Sequence, residues 1–114
     1  MHRNISIIIP FHNERSNVHF VMDEIHDLYP HAEIIAVDDG STDGTGDQLK
    51  TLPYIKLVSL DSKNGQGVAV FRGLEAATKD ICALLDGDGQ NDPRDIERLL
   101  KMLAKTDCVW GYRK

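Results

Sequence analysis

The sequence has only two cysteines, Cys82 and Cys108, in 114 residues, too few for a disulfide framework. Both lie in apolar, strand-like runs, so reduced core thiols in a cytosolic protein are expected. Basic residues are also scarce: thirteen Lys and Arg face eighteen Asp and Glu, for a formal net charge of -5. A nucleic-acid binder would normally show a basic face or stripe, so that class is disfavoured. Long apolar runs are missing. Nothing approaches the roughly 18 residues of a membrane span. Ile5-Ser6-Ile7-Ile8-Ile9 before Pro10 is too short for the apolar segment of a secretory leader. No repeat, low-complexity tract or Pro/Ser-rich linker marks an internal boundary. Aromatic residues make up 6%, hydrophobic residues 41% and charged residues 27%. One soluble, acidic, cytoplasmic domain remains, with enough chain to bury roughly two-thirds of its unfolded surface.

The apolar pattern changes period along the chain. Ile5 to Ile9 is a β-branched run ended by Pro10, which predicts a buried strand. Val18, Val21, Met22, Ile25, Leu28 and Tyr29 recur at helical spacing until Pro30. Further strands are predicted over Ile34–Val37, Tyr54–Ser59 and Ile81–Leu85, with a short helix over Asp47–Lys50. Asn64 is a candidate cap for a helix from Gly65 to Thr78, whose Gly and Ala residues would let it lie close to a sheet. Asp92 followed by Pro93 opens a last helix striped by Ile96, Leu99, Leu100 and Leu103. Cys108-Val109-Trp110 reads as another strand, with Trp110 as a core anchor. Strands apolar on both faces and alternating with helices predict an α/β fold with a parallel sheet covered by helices. Such sheets bind ligands beyond the carboxyl ends of their strands.

The polar clusters fall at those ends: Pro10 to Glu14, Asp38 to Asp43, and Asp86 to Gln90. Asp86 and Asp88 can address one ligand if the strand breaks at Gly87. Two such carboxylates repel, and a divalent cation is the simplest neutralising partner, with Gln90 as a neutral oxygen donor. The alternative is a turn rich in Asp and Gly because turns favour both. Asp39, Ser41, Asp43 and Gly44 mimic the start of a calcium-binding EF-hand loop, but Lys50 stands where the bidentate Glu belongs. Asp86, Asp88, Gln90 and Glu97 mimic another, yet Asn91 replaces the required Gly and a strand precedes it. Asn64-Gly65-Gln66-Gly67 lacks the Lys and Ser/Thr of a P-loop and reads as a tight turn. Arg72 is a partner for either a phosphate or a neighbouring carboxylate. His12, His19 and His26, seven apart, have no zinc-type spacing and are assigned no function.

Taken in order, these clusters resemble the nucleotide-sugar-binding half of family 2 inverting glycosyltransferases, on the branch of dolichol-phosphate mannose synthase-like, polyprenyl-phosphate hexosyltransferases. The motifs that carry the resemblance are Ile8-Ile9-Pro10-Phe11-His12-Asn13-Glu14, Val37 to Thr45, Asn64-Gly65-Gln66-Gly67 with Arg72, Leu85 to Pro93, and Val109-Trp110-Gly111-Tyr112-Arg113. The resemblance covers essentially the whole chain. It implies a GT-A fold, with a Rossmann-like, mostly parallel sheet and helices on both faces. Pro10, Phe11, Glu14, Asp38 and Asp39 would line the base and ribose pocket, with Arg72 added as a substrate-binding residue. Asp86, Asp88 and Gln90 would hold Mg²⁺ or Mn²⁺ against the donor diphosphate, with Asp86 and Asp88 as the catalytic pair. Phe11-His12 stands where the family often has Tyr and Asn or a similar polar pair. Members of the branch continue for about another 100 residues, so residues 1–114 are expected to be the donor part of a domain truncated at its C-terminus. The intact protein would transfer a hexose from GDP-mannose or a UDP-hexose to a polyprenyl phosphate at the cytoplasmic face of the membrane. The competing reading is a noncatalytic nucleotide- or Ca²⁺-binding module of the same layered fold.

Overall fold

Short apolar runs become strands here because their side chains find cover on both faces of one sheet. The computed structural model describes residues 4–88 and 92–103. Strand β1 (Ile5–Phe11) leads through a 3-10 turn to helix α1 (Val18–Leu28), then to β2 (Glu33–Asp39) and α2 (Thr45–Lys50). Strand β3 (Ile55–Leu60), helix α3 (Gln66–Ala76), strand β4 (Ile81–Leu84) and helix α4 (Asp95–Leu103) follow. Every pairing is parallel, in the order β3-β2-β1-β4. The chain therefore moves outward from β1 to β3 and returns to the other side of β1. That reversal is the switch point where α/β sheets open a crevice.

Alternation along β1 assigns the two faces. Ile5, Ile7, Ile9 and Phe11 join Val18, Val21, Met22, Ile25 and Tyr29 in the larger core cluster, which Leu49, Leu52 and Ile96 close. Ile8, Ile35 and Val37 meet Ala69 of α3 on the other face. Burying each of these Ile side chains contributes roughly 1.5–3 kcal/mol relative to exposure. Helix α3 lies close because Gly73 faces the sheet. A Cβ there would sit 2.4 Å from Ile8 Cγ2 and 3.2 Å from Val37 Cγ2.

At the amino end of the sheet, the fully buried Ser6 hydroxyl donates to Glu33 at 2.6 Å. Lys56 Nζ and the Thr78 N–H and hydroxyl also donate to Glu33, each at 2.8 Å. Burial pushes the Glu33 carboxyl up, but the donors from Lys56, Ser6 and Thr78 outweigh it and hold the group at about 2.

Several expectations need correction. Strand β1 does not stop at Pro10, which pairs with Val37 inside the ladder. The Leu85 N–H donates to Ile8 O at 3.0 Å, so the Ile8 position faces β4. Pro10, two residues on, turns its donorless nitrogen to the same side, beyond the last β4 partner, where no bond is lost. Cys82 is exposed, not a core thiol. Among the described residues, helix α3 packs over β1 and β2 and leaves that side of β4 uncovered, and Leu84 is 49% exposed there. Burial of the thiol's remaining surface, with Glu33 nearby, pushes the Cys82 pKa up. Asn64 does not cap α3: Gly65 occupies that position, and the Asn64 side chain donates to Ser62 O at 2.8 Å. Asp92 accepts the Arg94 N–H at 3.0 Å, but in the turn that precedes the last helix, which begins only at Asp95. Cys108 and the strand expected at Cys108-Val109-Trp110 lie outside the described residues. Among the described residues, no helix is long and apolar enough to cross a membrane.

Candidate functional site

The carboxyl ends of β1, β2 and β4 carry the three polar clusters to one rim. After β4 the chain turns at Asp86-Gly87-Asp88 and passes directly over the end of β1. A Cβ on Gly87 would meet Phe11 Cδ1 at 2.5 Å and Pro10 O at 2.8 Å, so only a residue without a side chain lets the turn lie this low. Phe11 is 1% exposed and belongs to the core. Its ring supports the rim from beneath and does not line a pocket wall. Pro10 is half-buried, and Glu14 likewise.

Two buried carboxylates fix the neighbouring turns. Asp38 Oδ1 accepts the Ser41 N–H at 3.1 Å and closes the turn after β2. Asp39 accepts the Asn64 and Gly65 N–H groups at 2.7 and 3.0 Å, tying the β2 end to the β3–α3 turn. Gly40, at φ +65°, lets the two turns touch backbone to backbone: a Cβ there would sit 2.3 Å from Ser62 C. His12 Nδ1 lies 2.6 Å from Asp39 O and sutures the β1 end to β2. Asn13 adopts φ 51°, a left-handed conformation that Asn tolerates. It accepts the Thr42 N–H at 2.8 Å, and its own N–H donates to Ser41 at 3.0 Å.

The acidic turn is tied in by Asn17, which sequence reading passed over, and by Gln66, which it read only as part of a tight turn. Gln66, at the start of α3, donates from Nε2 to Asp86 Oδ1 at 2.9 Å. Asn17 donates to Glu14 Oε2 at 2.8 Å and lies 3.5 Å from Asp88 O, joining the β1 and β4 loops. The available signal was position alone: each is an amide side chain within a few residues of a strand end.

Asp86 and Asp88 offer hard carboxylate oxygens, which suit Mg²⁺ or Mn²⁺. Gln90 lies outside the described residues. Among the described residues, no cluster of three or more His, Cys, Asp and Glu is gathered. Two carboxylates still fit a cation that takes its other oxygens from phosphates and water. An EF-hand is not built here, because a strand, β4, enters the Asp86 turn where a helix is required.

Arg72 is not brought to this rim. Helical spacing puts Gln66 and Arg72 on opposite flanks of the line through Ala69 and Gly73 that faces the sheet. Gln66 reaches toward β4, whereas Arg72 lines a groove beside β3 and pairs with Glu75 at 3.4 Å. His19 and His26 are engaged away from the rim. His19 lies 2.8 Å from Gln48 Oε1, and His26 stacks on Tyr54 with ring centroids 3.9 Å apart.

A parallel sheet whose strand order reverses beneath acidic turns defines the class of doubly wound α/β domains that receive a ligand at the switch point. The chain belongs to glycosyl transferase family 2, whose sequence model matches residues 6–114. It is 34% identical over 115 residues to the undecaprenyl-phosphate mannosyltransferase of Micrococcus luteus, covering 94% of this chain and 47% of that protein. To the polyprenol monophosphomannose synthase of Mycolicibacterium smegmatis it is 32% identical over 116 residues, covering 94% and 44%. The chain thus spans less than half the length of these curated relatives. Among solved structures it matches the mannosyltransferase PcManGT from Pyrobaculum calidifontis, in complex with GDP-Man and Mn²⁺. That match has TM-score 0.77 and 29% identity, over 89% of this chain and 32% of that one. It also matches glucosyl-3-phosphoglycerate synthase from Mycobacterium tuberculosis, in complex with Mn²⁺, uridine-diphosphate and glucosyl-3-phosphoglycerate. There the TM-score is 0.74 with 30% identity, over 89% and 39%. Both neighbours are GT-A fold glycosyltransferases, and the sheet described above is the Rossmann-like part of that fold.

Proposed function

We propose that this chain is the donor-binding part of a metal-dependent inverting hexosyltransferase. The whole enzyme moves a hexose from a nucleoside-diphosphate sugar, GDP-mannose or a UDP-hexose, to a polyprenyl or dolichyl phosphate. One observation carries the reading: the Asp86-Gly87-Asp88 turn is seated on Pro10 and Phe11 at the switch point, one strand removed from Asp38 and Asp39. The printed names of the Micrococcus and Mycolicibacterium relatives support the lipid-phosphate acceptor. The GDP-Man and Mn²⁺ of the Pyrobaculum neighbour support the donor class and the metal.

In this reading Pro10, Glu14, Asp38 and Asp39 frame the base and ribose, with Phe11 as the support below. Asp86, Asp88 and Gln90 hold Mg²⁺ or Mn²⁺ beside the diphosphate. A divalent cation bound there supplies Lewis-acid stabilisation of the charge that grows on the departing diphosphate. The acceptor oxygen bonds to the anomeric carbon as the bond from that carbon to the diphosphate oxygen breaks. The nucleoside diphosphate keeps the electron pair, and the configuration inverts. Two carboxylates would otherwise repel the donor, so the acidic rim makes sense only with the cation. Gln66 orients Asp86, and Gly87 sets the height of the turn. A lipid-phosphate acceptor arrives already ionised, so no strong general base is required. Donor binding without turnover is assigned to these 114 residues, and contact with the cytoplasmic membrane face to the whole protein.

Titration calorimetry with GDP and UDP, with and without Mn²⁺, tests this. The expected result is nucleotide binding that requires Mn²⁺ and is lost in Asp88→Ala. Calcium binding indifferent to nucleotide would instead favour a noncatalytic cation-binding module.

A further inference from the structure

The groove that holds Arg72 is a feature separate from the rim. It is an open groove of about 480 Å³ beside β3, the outermost strand on that side among the described residues, and it reaches the β3–α3 turn. Val58 and Leu60 form its apolar floor, and both belong with the sheet face that packs on α3. Its polar lining comes from Asp61, Ser62 and Asn64, with Arg72 on α3, while strand alternation turns the Ser59 side chain to the other face of the sheet. Arg72 is the groove's one cationic lining residue among those described. Its ion pair with Glu75 is long, at 3.4 Å, and both side chains are more than half exposed. Such a pair is worth little, so the guanidinium can turn to a better acceptor at small cost. A phosphate is that acceptor, because the guanidinium fork donates two parallel bonds to it.

We infer that this groove is a second ligand site, for a small phosphate monoester of a polyol, distinct from the donor rim. Arg72 takes the phosphate, and the Ser62 hydroxyl adds a hydrogen bond to it. Asp61 selects the remainder of the ligand. Its carboxylate accepts from polyol hydroxyls and repels a second phosphate, so nucleoside diphosphates are disfavoured here while the rim takes them with metal. The groove still touches the rim through one turn, since Asn64, one of its lining residues, has its amide held by Asp39.

Amide chemical-shift titration of the chain with glycerol 3-phosphate, inorganic phosphate and, without metal, UDP tests the inference. Glycerol 3-phosphate should produce saturable shifts at Ser59, Ser62 and Asn64, with inorganic phosphate several-fold weaker and UDP weaker still. Arg72→Gln, at an exposed helical position, should weaken glycerol 3-phosphate binding about tenfold, the effect of one charge-assisted contact. Asp86→Asn should leave it unchanged. Shifts that are absent, survive Arg72→Gln or move with Asp86→Asn would overturn the site. Equal affinity for inorganic phosphate would overturn the polyol assignment. None of these results depends on whether the rim binds a sugar nucleotide.

Discussion

Replacing Gly87 with Ala tests how the acidic turn is seated. The residue is not among the glycines with positive φ, so alanine meets no backbone strain there. The obstacle is space: the new Cβ would lie 2.5 Å from Phe11 Cδ1, 2.7 Å from Phe11 Cε1 and 2.8 Å from Pro10 O. Carbon atoms need about 3.5–4.0 Å, so either the ring or the turn must move by about 1 Å. Phe11 is 1% exposed and hemmed in by the core, so the turn gives way. Overpacking of this kind costs about 1–3 kcal/mol, partly offset by about 0.4–1 kcal/mol from a stiffer unfolded chain. The net loss, about 1–2 kcal/mol, should lower the melting temperature by roughly 4–10 °C in a thermal denaturation experiment. Lifting Asp86 and Asp88 should also weaken Mn²⁺-dependent nucleotide binding by about tenfold or more. Trimming the obstacle with Phe11→Leu should recover part of both losses, giving clear coupling in a double-mutant cycle. A Gly87→Ala protein that melts and binds like the parent would refute this reasoning.

The contrasting substitution is Gly67→Ala in the first turn of α3. No atom lies within 4 Å of its added Cβ, so stability should rise by about 0.5 kcal/mol, readable by urea denaturation. Asp39→Ala strips two backbone amides of a charged, buried acceptor and should cost about 2–3 kcal/mol, with the Asn64 and Gly65 amides losing hydrogen-exchange protection. Glu33 predicts acid sensitivity. Its folded pKa, about 2, lies below the ordinary 4.5, so its contribution is complete above 4.5 and disappears as pH falls from 4.5 toward 2. That contribution is worth roughly 3 kcal/mol. Urea midpoints measured across this range should decline with acid in the parent and lose that component in Glu33→Gln.

The alternation of strand and helix was readable because apolar runs and helical stripes are local signals, as Ile5–Ile9 and the Val18–Leu28 stripe illustrate. The three rim clusters were readable for a topological reason: parallel strands put all their carboxyl ends on one side. What misled was anything set by neighbours distant in sequence. Pro10 looks like a strand terminator until the end of the β4 ladder beside it is known. Phe11 looks like a pocket wall until Gly87 is seen pressed on its ring. Asn64 has the composition of a cap, but its N–H is drawn to Asp39, 25 residues earlier. Cys82 has the neighbours of a core residue, yet it is exposed on β4, which α3 does not cover among the described residues. Arg72 lies only six positions from Gln66, and helical geometry alone sends the two to different sites.

The central claim is that a divalent cation docks at the turn after β4, among loops from β1 and α3. Paramagnetic broadening by substoichiometric Mn²⁺ measures that location directly. The account predicts broadening centred on the amides of Asp86, Gly87 and Asp88 and on the side-chain amides of Gln66 and Asn17, intensified by added GDP or UDP. Broadening centred on Asp23 and Asp27 of α1, or on Glu33, while the Asp86–Asp88 amides stay sharp, would contradict it.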